Sequence, residues 1–184
     1  MKGLLSLFAK RYIAGTDRAD AIAAAKRLNS FRILALIDLL GENVKTKEEA
    51  DDVVAEYLSL LDEIRCAGVS AAVSLKLTHL GLDISEALAE TNAAVVIERA
   101  LQYDNTVWFD MESSAYTQRT IDAYIRLKRR FPNIGVAIQS YLKRSEEDIK
   151  LLISKGASVR LVKGAYKEPP GIAFKDKKDV DGNF

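Results

Sequence analysis

The 184-residue sequence is poor in the residue types on which several common chemistries depend. It has one cysteine, Cys66, so no internal disulfide framework can form, and a lone thiol suits a reducing compartment. Ala67-Gly68 follows Cys66 where a helix should end, so a packed thiol is expected there. It has one histidine, His79, which with the single cysteine excludes a dedicated metal cluster. No nucleophile elbow accompanies that histidine, so hydrolase triads are excluded too. Neither sign of charge dominates: 27 basic and 26 acidic side chains leave a net charge of +1. Without a basic stripe, nucleic acid is a poor partner. Long apolar runs are also missing. The longest, Ile33 to Leu40, is interrupted by Asp38 and is far too short to span a bilayer. At the N-terminus, Met1–Arg11 has too short an apolar centre for a secretory signal and reads as an amphipathic helix.

What is present is core: 48% of the residues are hydrophobic, enough for one ordinary domain over residues 1–184. Five short apolar, often β-branched segments read as buried strands: Arg32–Ile37, Ser70–Leu77, Thr106–Phe109, Asn133–Ile138 and Ser158–Val162. Helical stretches alternate with them. Asp17–Leu28 is Ala-rich and completes a helical N-terminal region over 1–30. Thr46–Ala67 opens on Thr46-Lys47-Glu48-Glu49, a capping box, and Ser85–Leu101 opens on a capping serine. Thr117–Phe131 stops before Pro132, and Asp148–Lys155 is expected to be capped by Ser145 and ended by Gly156.

Strict strand–helix alternation implies right-handed βαβ units and a parallel sheet. Two folds fit: a doubly wound sheet, and a TIM-like (β/α)₈ barrel of which residues 31–184 supply about five units. The barrel is favoured because every strand delivers a polar group at its carboxyl end: Asp38, then Lys76 and Thr78, Asp110 and Glu112, Gln139 and Ser140, Arg160 and Lys163. No Gly-rich phosphate fingerprint follows the first strand, which counts against a dinucleotide-binding sheet. The densest of these ends is Arg160-Leu161-Val162-Lys163-Gly164-Ala165-Tyr166, where an apolar strand closes on two cations, a glycine and an aromatic.

These residues leave two chemistries open. A lysine on a barrel strand, Lys76 or Lys163, could form a Schiff base if burial lowered its pKa, as in a lyase or aldolase. The plainer reading of Lys76 is an ion pair with Asp110 across neighbouring strands. Alternatively the cations bind an anionic cofactor or substrate: an arginine can stabilise charge developing on a flavin, a glutamine can pair with its pyrimidine edge, and Gly164 permits close backbone approach. His79 could abstract a proton, although a hydrogen-bonding role is commoner in such a loop.

In order along the chain, Tyr12-Ile13-Ala14-Gly15, Leu36-Ile37-Asp38-Leu39-Leu40-Gly41-Glu42, Val73-Ser74-Leu75-Lys76-Leu77-Thr78, Phe109-Asp110-Met111-Glu112, Ile138-Gln139-Ser140-Tyr141-Leu142 and Arg160 to Glu168 resemble the proline dehydrogenase family. The resemblance implies a distorted (β/α)₈ barrel that binds FAD noncovalently at the strand carboxyl ends. It further implies oxidation of L-proline to Δ1-pyrroline-5-carboxylate, with electrons passed to a membrane quinone. Carried over position by position, it makes Asp110 and Arg160 catalytic, and Lys76, Ala165 and Tyr166 substrate-binding. Met111, Gln139, Arg160, Lys163, Gly164 and Ala165 would hold the cofactor. The implied compartment is the bacterial cytoplasm, peripheral to the inner membrane, in preference to the mitochondrial matrix.

The family's last barrel helix carries a tyrosine and paired arginines that clamp the substrate carboxylate, and no counterpart follows here. The resemblance therefore covers the first half to two-thirds of a catalytic domain. Each absent charge-assisted hydrogen bond is worth about 1.5–3 kcal/mol, so little activity is expected of the chain alone. A non-catalytic fragment that self-associates through exposed barrel edges is the remaining alternative.

Overall fold

The computed structural model describes residues 13–184. The amphipathic helix expected over 1–11 lies outside the described residues. Helix α1, Arg18–Ser30, is capped by Asp17, whose carboxylate accepts the Asp20 amide at 2.9 Å. A left-handed turn at Arg32, φ 61°, delays the first strand, so β1 is Ala35–Asp38 and not the Arg32–Ile37 that apolar content predicts. Helix α2, Lys47–Ala67, starts on the expected capping box: Thr46 accepts the Glu49 amide, and the Glu49 carboxylate accepts the amides of Lys45 and Thr46. Then follow β2 (Ala71–Leu75), α3 (Glu86–Gln102), β3 (Val107–Phe109), α4 (Ser114–Lys128), β4 (Ile134–Gln139), α5 (Ser145–Ser154), β5 (Ser158–Val162) and a short α6 (Lys177–Gly182).

The strands form one parallel sheet in the order β1-β2-β3-β4-β5. Sequence order equals spatial order throughout. A doubly wound sheet reverses direction at a switch point, and this one does not. It winds as a barrel does, with α2, α3, α4 and α5 as successive crossovers.

The core lies between helices and sheet. Tyr57, Leu60, Leu61 and Ile64 of α2 are buried at helical spacing, as are Ala89, Ala93, Val96, Ile97 and Ala100 of α3. They pack on Val73, Leu75, Val107 and Phe109, the alternate strand residues that face the helices. Each buried Leu, Ile or Phe contributes about 1.5–3 kcal/mol. The other alternate set, which includes Trp108 and Arg160, turns away from the helices toward the barrel side. Local expectations at Cys66 and Ser145 also fail. Cys66 is exposed, because it lies off the stripe formed by Leu60, Leu61 and Ile64. Ser145 is not a cap but the first residue of α5, and its hydroxyl donates to the Gln139 and Leu142 carbonyls.

Candidate active site

Parallel register decides which side chains share a row. Phe109 pairs with Leu75 and with Val136, and Ala137 pairs with Arg160. One residue further on, Lys76, Asp110, Ala137 and Arg160 fall into a single row across β2 to β5. Ala137 is the small member, and the Arg160 guanidinium crosses it to hydrogen-bond Asp110. Lys76 lies 3.6 Å from Asp110 and donates to Asp38, at the end of β1, at 2.7 Å. The four charges form a ladder of alternating sign, Asp38–Lys76–Asp110–Arg160, over four of the five strand ends. The first-choice partner of Lys76 is thus Asp38, while Asp110 is committed to Arg160.

Trp108 forms the wall beneath. Its ring covers Gly135, where an added Cβ would sit 2.5 Å from the ring carbons, and Arg160 stands 6.0 Å above it. Only glycine admits so close an approach.

Burial raises the pKa of the Asp38 carboxyl, and the hydrogen bond from Lys76 only partly offsets it. Burial works to lower that of Lys76, but Asp38 and Asp110 more than reverse it, so the net shift is upward and the ammonium keeps its proton. His79 is pushed down, first by burial and then by Lys76. Its ring packs on Gly41 and its Nδ1 is buried with no hydrogen-bond partner.

The remaining candidates occupy two levels. Met111 and Gln139 are buried, at 6% and 2% exposure, with Gln139 two residues past Ala137 toward the strand ends. Lys163, Gly164 and Ala165 are exposed and form a rim. Lys163 pairs with Asp181 of α6. Gly164 has φ 109°, and its would-be Cβ position lies 2.3 Å from the Tyr141 ring. Glycine is required at 164 by the chain's own tyrosine. Tyr166 reaches back over the strand ends and donates to Glu42 at 2.9 Å; its pKa is raised by burial first and by Glu42 second.

Three anchoring side chains escape the sequence reading as site members. Glu112 accepts from the Thr78 amide and hydroxyl. Glu168 accepts from the Ser114 amide at 2.7 Å and hydroxyl at 2.6 Å, tying the rim to the start of α4. Tyr141 props Gly164, and burial pushes its phenol up to about 12. Glu112 alone carried a signal, its place three residues past a strand; the other two depend on contacts distant in sequence.

Among the described residues no group of His, Cys, Asp or Glu is arranged to hold a metal ion, and no helix is long and apolar enough to cross a membrane. Of two cavities, one lies away from the ladder and the other reaches its Asp38 end beside His79. One of about 430 Å³ is at the amino ends of the strands, and one of about 1120 Å³ lies between α1, β1 and α2. The ladder is the candidate reactive cluster, because four charged side chains and two unpartnered polar atoms, Asp38 Oδ1 and Arg160 Nε, meet there.

Residues 21–170 match the family model for proline dehydrogenase. Proline dehydrogenase 1 of Bacillus subtilis subsp. natto is 40% identical over 178 residues, which are 97% of this chain and 59% of that protein. Proline dehydrogenase of Deinococcus radiodurans is 33% identical over 181 residues, 96% of this chain and 58% of that protein. Proline utilization A (PutA) from Bdellovibrio bacteriovorus, solved after inactivation by N-propargylglycine, superposes with a TM-score of 0.82 at 23% identity, over 93% of this chain and 22% of that one. The fold is the TIM-type barrel of that neighbour, with the chain spanning less than two-thirds of the curated relatives' length. The chain belongs to the proline dehydrogenase family.

Proposed function

We propose that the Asp38–Lys76–Asp110–Arg160 ladder is the proline-oxidising face of a flavin-dependent proline dehydrogenase, converting L-proline to Δ1-pyrroline-5-carboxylate. The carrying observation is that Lys76 is held as a cation between two carboxylates at the sheet end. A permanently charged ammonium suits the carboxylate of an amino acid. It does not suit a Schiff-base lysine, which needs a neutral amine and a lowered pKa. Lys163 is exposed and paired with Asp181, not set in an apolar pocket.

The residues fit FAD on two observations. The Arg160 Nε is buried with no hydrogen-bond partner, a spare donor beside the ladder. The backbone from Lys163 to Ala165 lies exposed along the rim, with Gly164 seated against the Tyr141 ring. FAD, when bound, would supply the two-electron acceptor for the hydride leaving proline C5. Arg160 would hold positive charge where negative charge develops, and Asp110 would orient Arg160. Lys76 would bind the proline carboxylate, charged and steered by Asp38. Ala165 and Tyr166 would border the substrate, with Tyr166 fixed by Glu42. Met111 and Gln139 would floor the cofactor site, and Lys163 with Gly164 would edge it. A quinone would take the electrons onward, with the protein at the cytoplasmic face of the inner membrane.

The test is dye-linked proline oxidation with the flavin spectrum recorded in parallel. Lys76→Met should raise KM for proline at least tenfold, the loss of about one charge-assisted hydrogen bond, with flavin content unchanged. In a protein that also carries the rest of the barrel, bound flavin that L-proline fails to bleach would defeat the reading.

A further inference from the structure

We propose that Glu112 is a positioning residue: its buried carboxylate locks the turn after β2 to the end of β3 and thereby sets the Gln139 amide as an acceptor toward the cofactor. The inference rests on the flavin reading above. Glu112 is 1% exposed, and both its oxygens are taken by one residue. Oε1 accepts the Thr78 amide at 3.1 Å, and Oε2 accepts the Thr78 hydroxyl. The Glu112 carbonyl accepts Gln139 Nε2 at 2.9 Å. With that nitrogen engaged, the Gln139 oxygen is the end left to meet an N–H donor, such as the one on a flavin's pyrimidine edge.

The lock extends beyond this pair. The Thr78 carbonyl accepts the Val44 amide at 3.2 Å, two residues past Glu42 in the loop after β1. Past Gln139, the Ser140 amide donates to the Val162 carbonyl at 2.7 Å, and the Tyr141 amide to the Lys163 carbonyl at 3.0 Å. A continuous run of hydrogen bonds thus crosses all five strand ends one tier above the charge ladder. Glu112 is the only charged side chain in it.

A buried carboxylate is costly to keep, so a spacer role would favour an apolar or neutral residue. The chemistry explains the choice. Thr78 presents two donors, an N–H and an O–H, and a carboxylate accepts each on its own oxygen. A glutamine accepts the amide but turns an NH₂ toward the hydroxyl, which must then find another acceptor.

The experiment uses the protein with Glu112→Ala, Glu112→Gln and Thr78→Val. Three quantities are read: FAD dissociation constant, kcat and KM for proline at saturating FAD, and the side-chain amide ¹H–¹⁵N signals of Gln139. Glu112→Ala should weaken FAD about tenfold or more, in proportion to one charged hydrogen bond, and move the Gln139 pair. KM for proline should stay within about threefold, because the ladder beneath is untouched. Glu112→Gln should recover part of the FAD affinity, which a role in stability alone would not require. Thr78→Val removes only the hydroxyl and gives the same direction of change if the alanine variant does not fold. FAD affinity and Gln139 signals equal to wild type in folded Glu112→Ala or Thr78→Val would overturn the proposal. So would equal loss in Glu112→Gln and Glu112→Ala. If the wild type binds no FAD, the cofactor reading fails, and unmoved Gln139 signals in the variants would separately show the lock to be wrong.

Discussion

Replacing Lys76 with methionine isolates the ladder's electrostatics without any cofactor. Met approximates the lysine stem, so packing is largely kept. What is lost is, among the described residues, the only hydrogen bond to Asp38 Oδ2, made at 2.7 Å; Asp38 Oδ1 has no partner among them. Breaking a fully buried ion pair costs about 3–5 kcal/mol. The Asp38 side chain keeps 26% of its exposure, so we discount this to about 2–3 kcal/mol at pH 7. Asp110 retains Arg160 and adds little. The pH dependence follows from Asp38. Burial already raises its pKa, and losing Lys76 raises it further. A carboxyl whose folded pKa exceeds its unfolded value of about 3.9 binds protons more tightly when folded, so its share of stability is present at low pH and lost as pH rises through the folded value. The gap between Lys76→Met and wild type should therefore be widest at pH 7 and shrink below about 1 kcal/mol by pH 4. Adding Asp38→Asn removes the stranded charge and should restore about 1–2 kcal/mol at pH 7. Urea unfolding followed through the single tryptophan, Trp108, measures all three proteins. A gap independent of pH, or a double variant no more stable than Lys76→Met, would refute the reasoning.

Gly164→Ala should lower stability by about 2 kcal/mol or displace the rim, since a Cβ would meet the Tyr141 ring at 2.3 Å in a backbone of φ 109°; the urea midpoint and proteolysis after Lys163 and Lys167 report it. Gly135→Ala should push Trp108 from its seat, cost about 1–3 kcal/mol and shift tryptophan emission. Thr46→Ala removes half of an exposed capping box and should cost about 1 kcal/mol while leaving the emission unchanged. His79 should titrate below the ordinary histidine range by NMR, and Gly41→Ala, which crowds its ring, should alter that titration.

Strand order was legible because each strand is a short apolar run closed by a polar residue, and alternation with helices leaves few topologies. The α2 start was legible because Thr46 and Glu49 satisfy each other within one turn. The α4 start was not: its first amide is capped by Glu168, 54 residues away, so the helix begins at Ser114 and not at Thr117. Lys76, Asp110 and Arg160 could be named from their places at strand ends. Their pairing could not, because which carboxylate takes Lys76 depends on the small size of Ala137, which lets Arg160 reach Asp110 first. Gly164 was expected to admit close approach of a flavin, and the aromatic that its missing Cβ accommodates is the chain's own Tyr141.

The alternation of sign along the ladder has a consequence for how it binds. Asp38, Lys76, Asp110 and Arg160 sum to zero, so each ion is offset by a neighbour and the row can be partly buried without a net charge to desolvate. Hydrogen-bonding capacity is nevertheless left over, and it is sorted by position. An unpartnered acceptor, Asp38 Oδ1, stands at the β1 end, and an unpartnered donor, Arg160 Nε, at the β5 end. An anionic or electron-accepting group is favoured near Arg160 and a cationic amine toward Asp38. Arg160→Met should therefore do more than delete a contact. It leaves Asp110 to compete with Asp38 for Lys76 from 3.6 Å, turning a neutral ladder into one of net charge −1. The double variant Arg160→Met/Asp110→Asn restores neutrality. It should recover the stability lost by Arg160→Met without recovering proline oxidation, whereas recovery of both would mean that Arg160 serves only to neutralise Asp110.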